Sequence, residues 1–240
     1  MKLARNTLYS PFALLIALAA AFAGCATVPD KAPVRQQEIQ RAELTLDQFQ
    51  ADPQMASFRS GIKSAKAVII VPNVTRAALL VGGSGGEAVV LARDKSGNRW
   101  SEPAFYCVAS GSVGVQLGVD VSEVVMLVMS DKALDALLSR TLVLGGGASF
   151  AMGGTGIGEA GGITADVVGY ALSRGMYAGV SLEGAMIKPD AAANEEYYGR
   201  PASAAYVLVR RDVWNPVSAA LQRSLASLSQ WSIPLPKEST

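Results

Sequence analysis

Histidine is absent from the 240 residues. That removes the side chain on which most general-base, triad and zinc mechanisms rely near neutral pH. Charge of one sign is also lacking: 21 Lys+Arg against 20 Asp+Glu leaves +1, without the excess that non-specific nucleic-acid binding demands. No lysine follows any glycine run in the manner of a phosphate loop, which argues against nucleotide hydrolysis. What is present is a hydrophobic content of 50%, ample for a packed core in one domain or two small ones. Glycine, at 24 residues, exceeds the usual share of roughly 7% without a collagen period.

Lys2 and Arg5 precede an uncharged apolar run over residues 12–23 that ends in small residues, the layout of a secretory signal. A stretch that short falls below the about 20 residues needed to cross a bilayer. It closes on Phe22-Ala23-Gly24-Cys25, which resembles the lipobox of bacterial lipoproteins, with Phe22 in place of the usual leucine. The resemblance implies diacylation of Cys25, palmitate among the acyl chains, and two chains suffice for stable anchoring. Plain secretion with Cys25 unmodified is the alternative. Ala26 replaces the aspartate that often marks inner-membrane retention, so the expected location is the periplasmic face of a bacterial outer membrane. Cys107, between Tyr106 and Val108, is expected in a buried strand. The expected organisation is a signal over 1–24, a tether over 25–34, one domain over 35–232 and a tail over 233–240.

Ile39, Ala42, Leu46 and Phe49 recur at steps of three and four and predict a helix over 34–50. Asp52-Pro53 signals a second helix, with Met55, Phe58, Ile62 and Ala65 on its apolar stripe. Arg59, Lys63 and Lys66 each follow a stripe member, so the basic row is rotated roughly 100° from the apolar one. That geometry suits cationic heads on lipid phosphates with the apolar face in the interface, and equally an ordinary helix packed on its own core.

Beyond residue 67 the period changes. Val68-Ile69-Ile70-Val71 is a strand stopped by Pro72, and 87–92 joins 100–108 in a hairpin through Asp94-Lys95-Ser96-Gly97-Asn98. Residues 113–122 alternate apolar and polar and run on into 124–129 as one strand. Ser130 caps a short helix, and further strands are expected at 142–144, 167–172, 177–187 and 205–209. Trp214-Asn215-Pro216 opens a last helix. The pattern argues α+β, with a mainly antiparallel, strongly curved, glycine-rich sheet or partial barrel flanked by N- and C-terminal helices.

Gly82-Gly83-Ser84-Gly85-Gly86 fits a nucleophile elbow, but without histidine the serine has no usual base, and a tight glycine turn is expected. Gly156-Ile157-Gly158-Glu159-Ala160-Gly161 fits a dinucleotide fingerprint, but its flanks read β on both sides, where such a site needs a strand before and a helix after. The carboxylates Glu87, Glu123, Asp166, Glu183, Glu195 and Glu196 show no spacing that selects a pair, and the 190–196 cluster would hold a hard cation only if the fold gathered it. No catalytic residue, metal or cofactor is expected.

Read in order, Ala65-Lys66-Ala67-Val68-Ile69-Ile70-Val71-Pro72, the glycine run at 82–86, Pro103-Ala104-Phe105-Tyr106 and Gly111-Ser112-Val113-Gly114-Val115-Gln116-Leu117-Gly118 form a series. Asp131-Lys132-Ala133-Leu134, Gly179-Val180-Ser181-Leu182-Glu183-Gly184 and Asn194-Glu195-Glu196-Tyr197-Tyr198-Gly199 continue it. Over roughly residues 53–210 this resembles the SYLF domain family of lipid-binding proteins, known in eukaryotes from actin regulators. The resemblance implies a non-enzymatic domain that binds anionic phospholipid through an amphipathic N-terminal segment. Residues 53–66 occupy that place, with Arg59, Lys63 and Lys66 as basic candidates and Phe58 and Ile62 as apolar ones. The family's actin connection is not expected to carry over to an envelope lipoprotein. The alternative function is a structural envelope lipoprotein that recognises a protein partner.

Overall fold

The computed structural model describes residues 32–78, 81–97, 99–113, 118–139, 141–153, 165–173, 176–177 and 182–230. Helix α1 (Ala32–Ala51) presents Ile39, Ala42, Leu46 and Phe49 inward, all fully buried. It begins within the span expected as tether. Asp52 then accepts from the Gln54 amide and caps a 3-10 turn, Pro53–Met55, that leads into α2 (Ala56–Gly61). The second helix is thus shorter than expected, and Lys63 and Lys66 fall in the connection that follows it.

Strands β1 (Ala67–Ala78), β2 (Val81–Ala92), β3 (Ala104–Val113) and β4 (Gly118–Val128) come next, followed by α3 (Asp131–Ser139). Short strands β5 (Leu142–Val143) and β6 (Phe150–Met152) precede β7 (Val167–Ser173), β8 (Met176–Tyr177) and β9 (Met186–Pro189), and helices α4 (Ala191–Tyr198) and α5 (Ala219–Gln230) close the chain. The sheet order is β5-β9-β3-β2-β1-β4-β7-β6 with β8 on β7, and every pair is antiparallel except β6–β7. The expected α+β class with a curled half-barrel sheet is what forms.

Both faces of the central strands are covered, which is why Val68-Ile69-Ile70-Val71 reads as a continuous apolar run. Val68, Ile70, Leu91, Phe105 and Leu127 face a core shared with α1, α2 and α5. Ile69, Val71, Val90, Tyr106 and Met126 face a second core shared with α3 and residues 202–213. Alternation along each strand sends neighbours to opposite cores.

Five expectations about elements are corrected. Pro72 does not stop β1, because the strand absorbs it in a bulge: the register shifts between Ile70 and Thr75 on one side and between Val71 and Val74 on the other. An irregularity tolerates the missing proline N–H and bends the strand. Residues 82–86 lie inside β2 rather than in a turn. There Gly86 meets the bulge, since a Cβ on it would sit 2.3 Å from the Asn73 carbonyl oxygen. The alternating run from 113 to 129 is divided between the end of β3 and β4, which are not neighbours in the sheet. The run 177–187 contributes to two separate strands, β8 and β9. Residues 205–209 fall in a π-type turn, Tyr206–Arg210, closed by the Arg211 amide on Tyr206 O.

Candidate lipid-contact surface

The residues expected to meet lipid separate in space. Phe58 and Ile62 are fully buried, with Phe58 edge-on to Phe49 and Tyr170 at centroid separations of 5.6 and 5.5 Å. Their apolar stripe faces the core, not an interface, because the curled sheet needs a lid and α1 and α2 supply it. Arg59 donates from Nη1 to Gln50 O and Asp52 O at 3.1 and 2.7 Å. It thereby satisfies the Gln50 carbonyl in the last turn of α1, which has no partner within the helix, and joins Met55 N on the Asp52 carbonyl. Lys66 pairs with Asp131 at 2.7 Å across an exposed contact, and Lys63 is exposed.

One turn connects this basic segment to another. Arg93, at the end of β2, donates from Nη2 to Ile62 O at 2.6 Å and from Nε to Ala65 O at 2.9 Å, with its guanidinium 4.5 Å from the Trp100 ring centroid. Burial lowers its pKa. On the far side of the same turn, Arg211 Nη2 donates to Ala92 O and Arg99 O at 3.2 and 3.3 Å. The turn itself exposes Lys95 and Arg99. Lys63, Lys95, Arg99, Arg210 and Arg211 are therefore gathered at one end of the sheet, interrupted by Asp94 and Asp212. The separation of these residues in sequence hides this from a linear reading; only the basic character of 59–66 was visible.

A second polar constellation lies between α1 and the sheet. Arg35 Nη1 donates to Glu38 Oε1 and Glu87 Oε1, each at 2.9 Å, and Nε to Glu196 Oε2 at 3.0 Å. Burial alone would lower the Arg35 pKa, but the three carboxylates raise it further than burial lowers it. Glu38 is also raised, but in its case that favours the neutral form: burial first, then the neighbouring Glu87, push its carboxyl up to about 8. Sequence reading flagged Glu87 and Glu196 separately and missed Arg35 and Glu38. The i,i+3 spacing of the latter pair was the sole available signal.

The remaining candidates are structural. Asp190 caps α4 by accepting from Ala193 N, and no group of three metal-ligating side chains occurs among the described residues. Ser84 Oγ lies 2.7 Å from Ser110 Oγ across the β2–β3 ladder, in mid-strand rather than on an elbow. Cys107 is half-buried in β3 rather than fully enclosed, its Sγ 3.5 Å from Asp190 Oδ2. Glu102, buried under α5, accepts from Ser218 Oγ at 2.6 Å, and burial raises its pKa. Cys25 and Gly156-Ile157-Gly158-Glu159-Ala160-Gly161 lie outside the described residues. No described helix is long and apolar enough to cross a membrane.

A curled antiparallel sheet roofed by terminal helices is the architecture on which the comparisons with known proteins bear. Residues 109–228 match the family described as Ysc84, Las17-binding protein actin regulator, and the chain belongs to this Ysc84/SYLF family. It is 33% identical over 156 residues to the SH3 domain-containing YSC84-like protein 1 of Xenopus laevis, covering 63% of this chain and 46% of that one. Protein YSC84 of Saccharomyces cerevisiae is 32% identical over 174 residues, 69% of this chain and 36% of its own length. The bovine YSC84-like protein 1 is 34% identical over 163 residues, 66% and 47%. The chain spans less than half the length of these relatives.

Proposed function

We propose that this chain is a non-enzymatic domain that docks electrostatically on anionic phospholipid, held at the bacterial outer membrane by acylation of Cys25. The observation that carries the docking is the turn between β2 and β3, hydrogen-bonded on one side to the segment bearing Lys63 and on the other to Arg211. It assembles cations from three parts of the chain on one end. Each Lys or Arg near an anionic surface contributes about 1 kcal/mol, and the effect is screened over about 8 Å at physiological salt. Because Phe58 and Ile62 are buried, the contact in this reading is electrostatic and made at the surface, without insertion of α2.

The test is co-sedimentation of the full chain with phosphatidylglycerol and phosphatidylcholine vesicles across salt. Binding to the anionic vesicles that falls with salt is expected. The triple variant Lys63→Gln, Lys95→Gln, Arg99→Gln should lose about 3 kcal/mol, roughly a hundredfold. Equal binding to both vesicle types, or none, rejects the reading. For the anchor, Cys25→Ser should release the protein from membranes, and an intact mass without acyl chains on native Cys25 would reject acylation.

A second reading, recognition of a protein partner, is favoured by the family description, which names Las17 binding. Failure of vesicle binding together with retained, saturable binding to a purified protein would select it.

A further inference from the structure

Trp214 is the most exposed large apolar side chain described, at 74%, and Val209, five residues before it, is 57% exposed. Nothing in the core accounts for either. Val213 between them is buried, so the extended segment that precedes α5 turns Asp212 and Trp214 outward on either side of it. Two cations flank the same surface. The guanidinium carbons of Arg200 and Arg210 lie 5.6 and 5.8 Å from the Tyr206 ring centroid, and Arg200 Nη2 also donates to Asp212 O.

The segment is tied to the β2–β3 turn. Arg211 adopts φ of 60°, a left-handed conformation unfavourable for a residue with a Cβ. Its side chain is fixed there by the bonds to Ala92 O and Arg99 O. A preformed contact surface loses less conformational entropy on docking than one that must be ordered.

We propose that Trp214 and Val209 form a membrane-inserting wedge, with Arg200 and Arg210 seating on the lipid phosphates around it. The proposal rests on the anionic-phospholipid reading above and supplies the apolar contact that α2 cannot. Charge complementarity selects the occupant: exposed arginines at 200 and 210 together with an exposed indole at 214 match a bilayer interface, where Trp settles at headgroup level and Arg attracts anionic lipid. The acidic groups near this surface are Asp212, exposed beside Trp214, and Asp94 in the adjoining turn. Because Arg211 reaches the β2–β3 turn, the wedge adjoins Lys95 and Arg99, and both can meet one membrane.

The experiment uses the full chain with vesicles of equal phosphatidylglycerol and phosphatidylcholine, with and without brominated acyl chains. Trp214→Ala with Val209→Ser should lower partitioning by roughly tenfold or more through lost apolar burial, while the salt dependence is retained. Arg210→Gln should lower it by about fivefold and flatten the salt dependence. Brominated lipid should quench the parent's tryptophan emission, and Trp214→Phe should lose most of that quenching. Thermal unfolding of each variant should match the parent, since these side chains lie on the surface. Unchanged partitioning and quenching in the Trp214 variants, while the parent still binds, overturns the wedge and leaves the electrostatic reading standing. A parent that binds no anionic vesicle overturns both. Self-association that depends on Trp214 without vesicle binding assigns the surface to a protein contact and also overturns the wedge.

Discussion

Arg35 Nε donates to Glu196 Oε2 at 3.0 Å across 161 positions of sequence, joining the first helix to α4 over the face of the sheet. Glu38 and Glu87 complete the constellation. Removing one partner of a buried ion pair strands the others, typically at 3–5 kcal/mol. We expect Arg35→Met to destabilise the fold by about 3 kcal/mol, measured by urea unfolding. Restoring part of that loss with Glu196→Gln in the same chain would identify a stranded carboxylate as the cause. A variant within about 0.5 kcal/mol of the parent would show the constellation to be dispensable.

Glu38 makes stability depend on pH in a defined sense. Its folded-state pKa, pushed up to about 8 from 4.5, means the folded chain holds a proton that the unfolded chain has released. Stability from this group is therefore full below about 4.5 and is lost as pH rises toward 8. Glu38→Gln should flatten the fall in unfolding free energy over that window. A parent whose stability is constant from pH 5 to 8 would contradict the assignment.

Asp166 acts with the opposite sign at lower pH. Hydrogen bonds from Ser130 Oγ at 2.5 Å, Ser149 N at 2.8 Å and Ser149 Oγ at 2.9 Å hold its carboxyl down to about 2. Its contribution is present above the ordinary value of 3.8 and disappears as pH falls through 2. Asp166→Asn should destabilise at pH 6 and lose its effect near pH 2, followed by circular dichroism. An equal effect at both pH values would assign the loss to packing.

Gly86 is required by contact rather than by backbone angle. A Cβ would come within 2.3 Å of Asn73 O and 3.1 Å of Val71 Cγ1, and the bulge is backbone that cannot move aside cheaply. Gly86→Ala should cost about 1–3 kcal/mol. Gly111, where a Cβ meets nothing within 4 Å, is the control and should tolerate alanine.

Phe58 and Lys63, five residues apart, should report on different properties. Phe58→Ala is expected to cost about 3–5 kcal/mol in stability as a core truncation. Lys63→Gln should leave stability within about 0.5 kcal/mol and act only on vesicle binding. Reduced vesicle binding by a folded Phe58→Ala chain at unchanged stability would return the apolar stripe to the lipid interface.

The elements most legible in the sequence were those in which a local rule and the tertiary context agree. The stripe through Ile39, Ala42, Leu46 and Phe49 is buried as its spacing requires. Asp52, Ser130 and Asn215 cap the turns or helices they precede. The hairpin of β2 and β3 forms as expected, with Gly97 at φ of 78°. Such features depend on residues within one or two helical turns of each other, so a linear reading contains all their causes.

Other features were decided by partners distant in sequence. Pro72 ends a strand by local rules, yet Gly86 on the neighbouring strand leaves room for a bulge that carries β1 onward. Residues 205–209 have strand-like composition but wind into a π-type turn, because Val207 and Leu208 must reach the core from outside the sheet. An amphipathic stripe states that one face is apolar; it does not state whether protein or lipid covers it. For Phe58 and Ile62 the curled sheet supplied the cover. Likewise, opposite charges at 35, 38, 87 and 196, and like charges at 63, 95, 99 and 210, acquire meaning only when tertiary packing brings their segments together. Coulomb interactions depend on separation in space and on burial, neither of which residue order alone specifies.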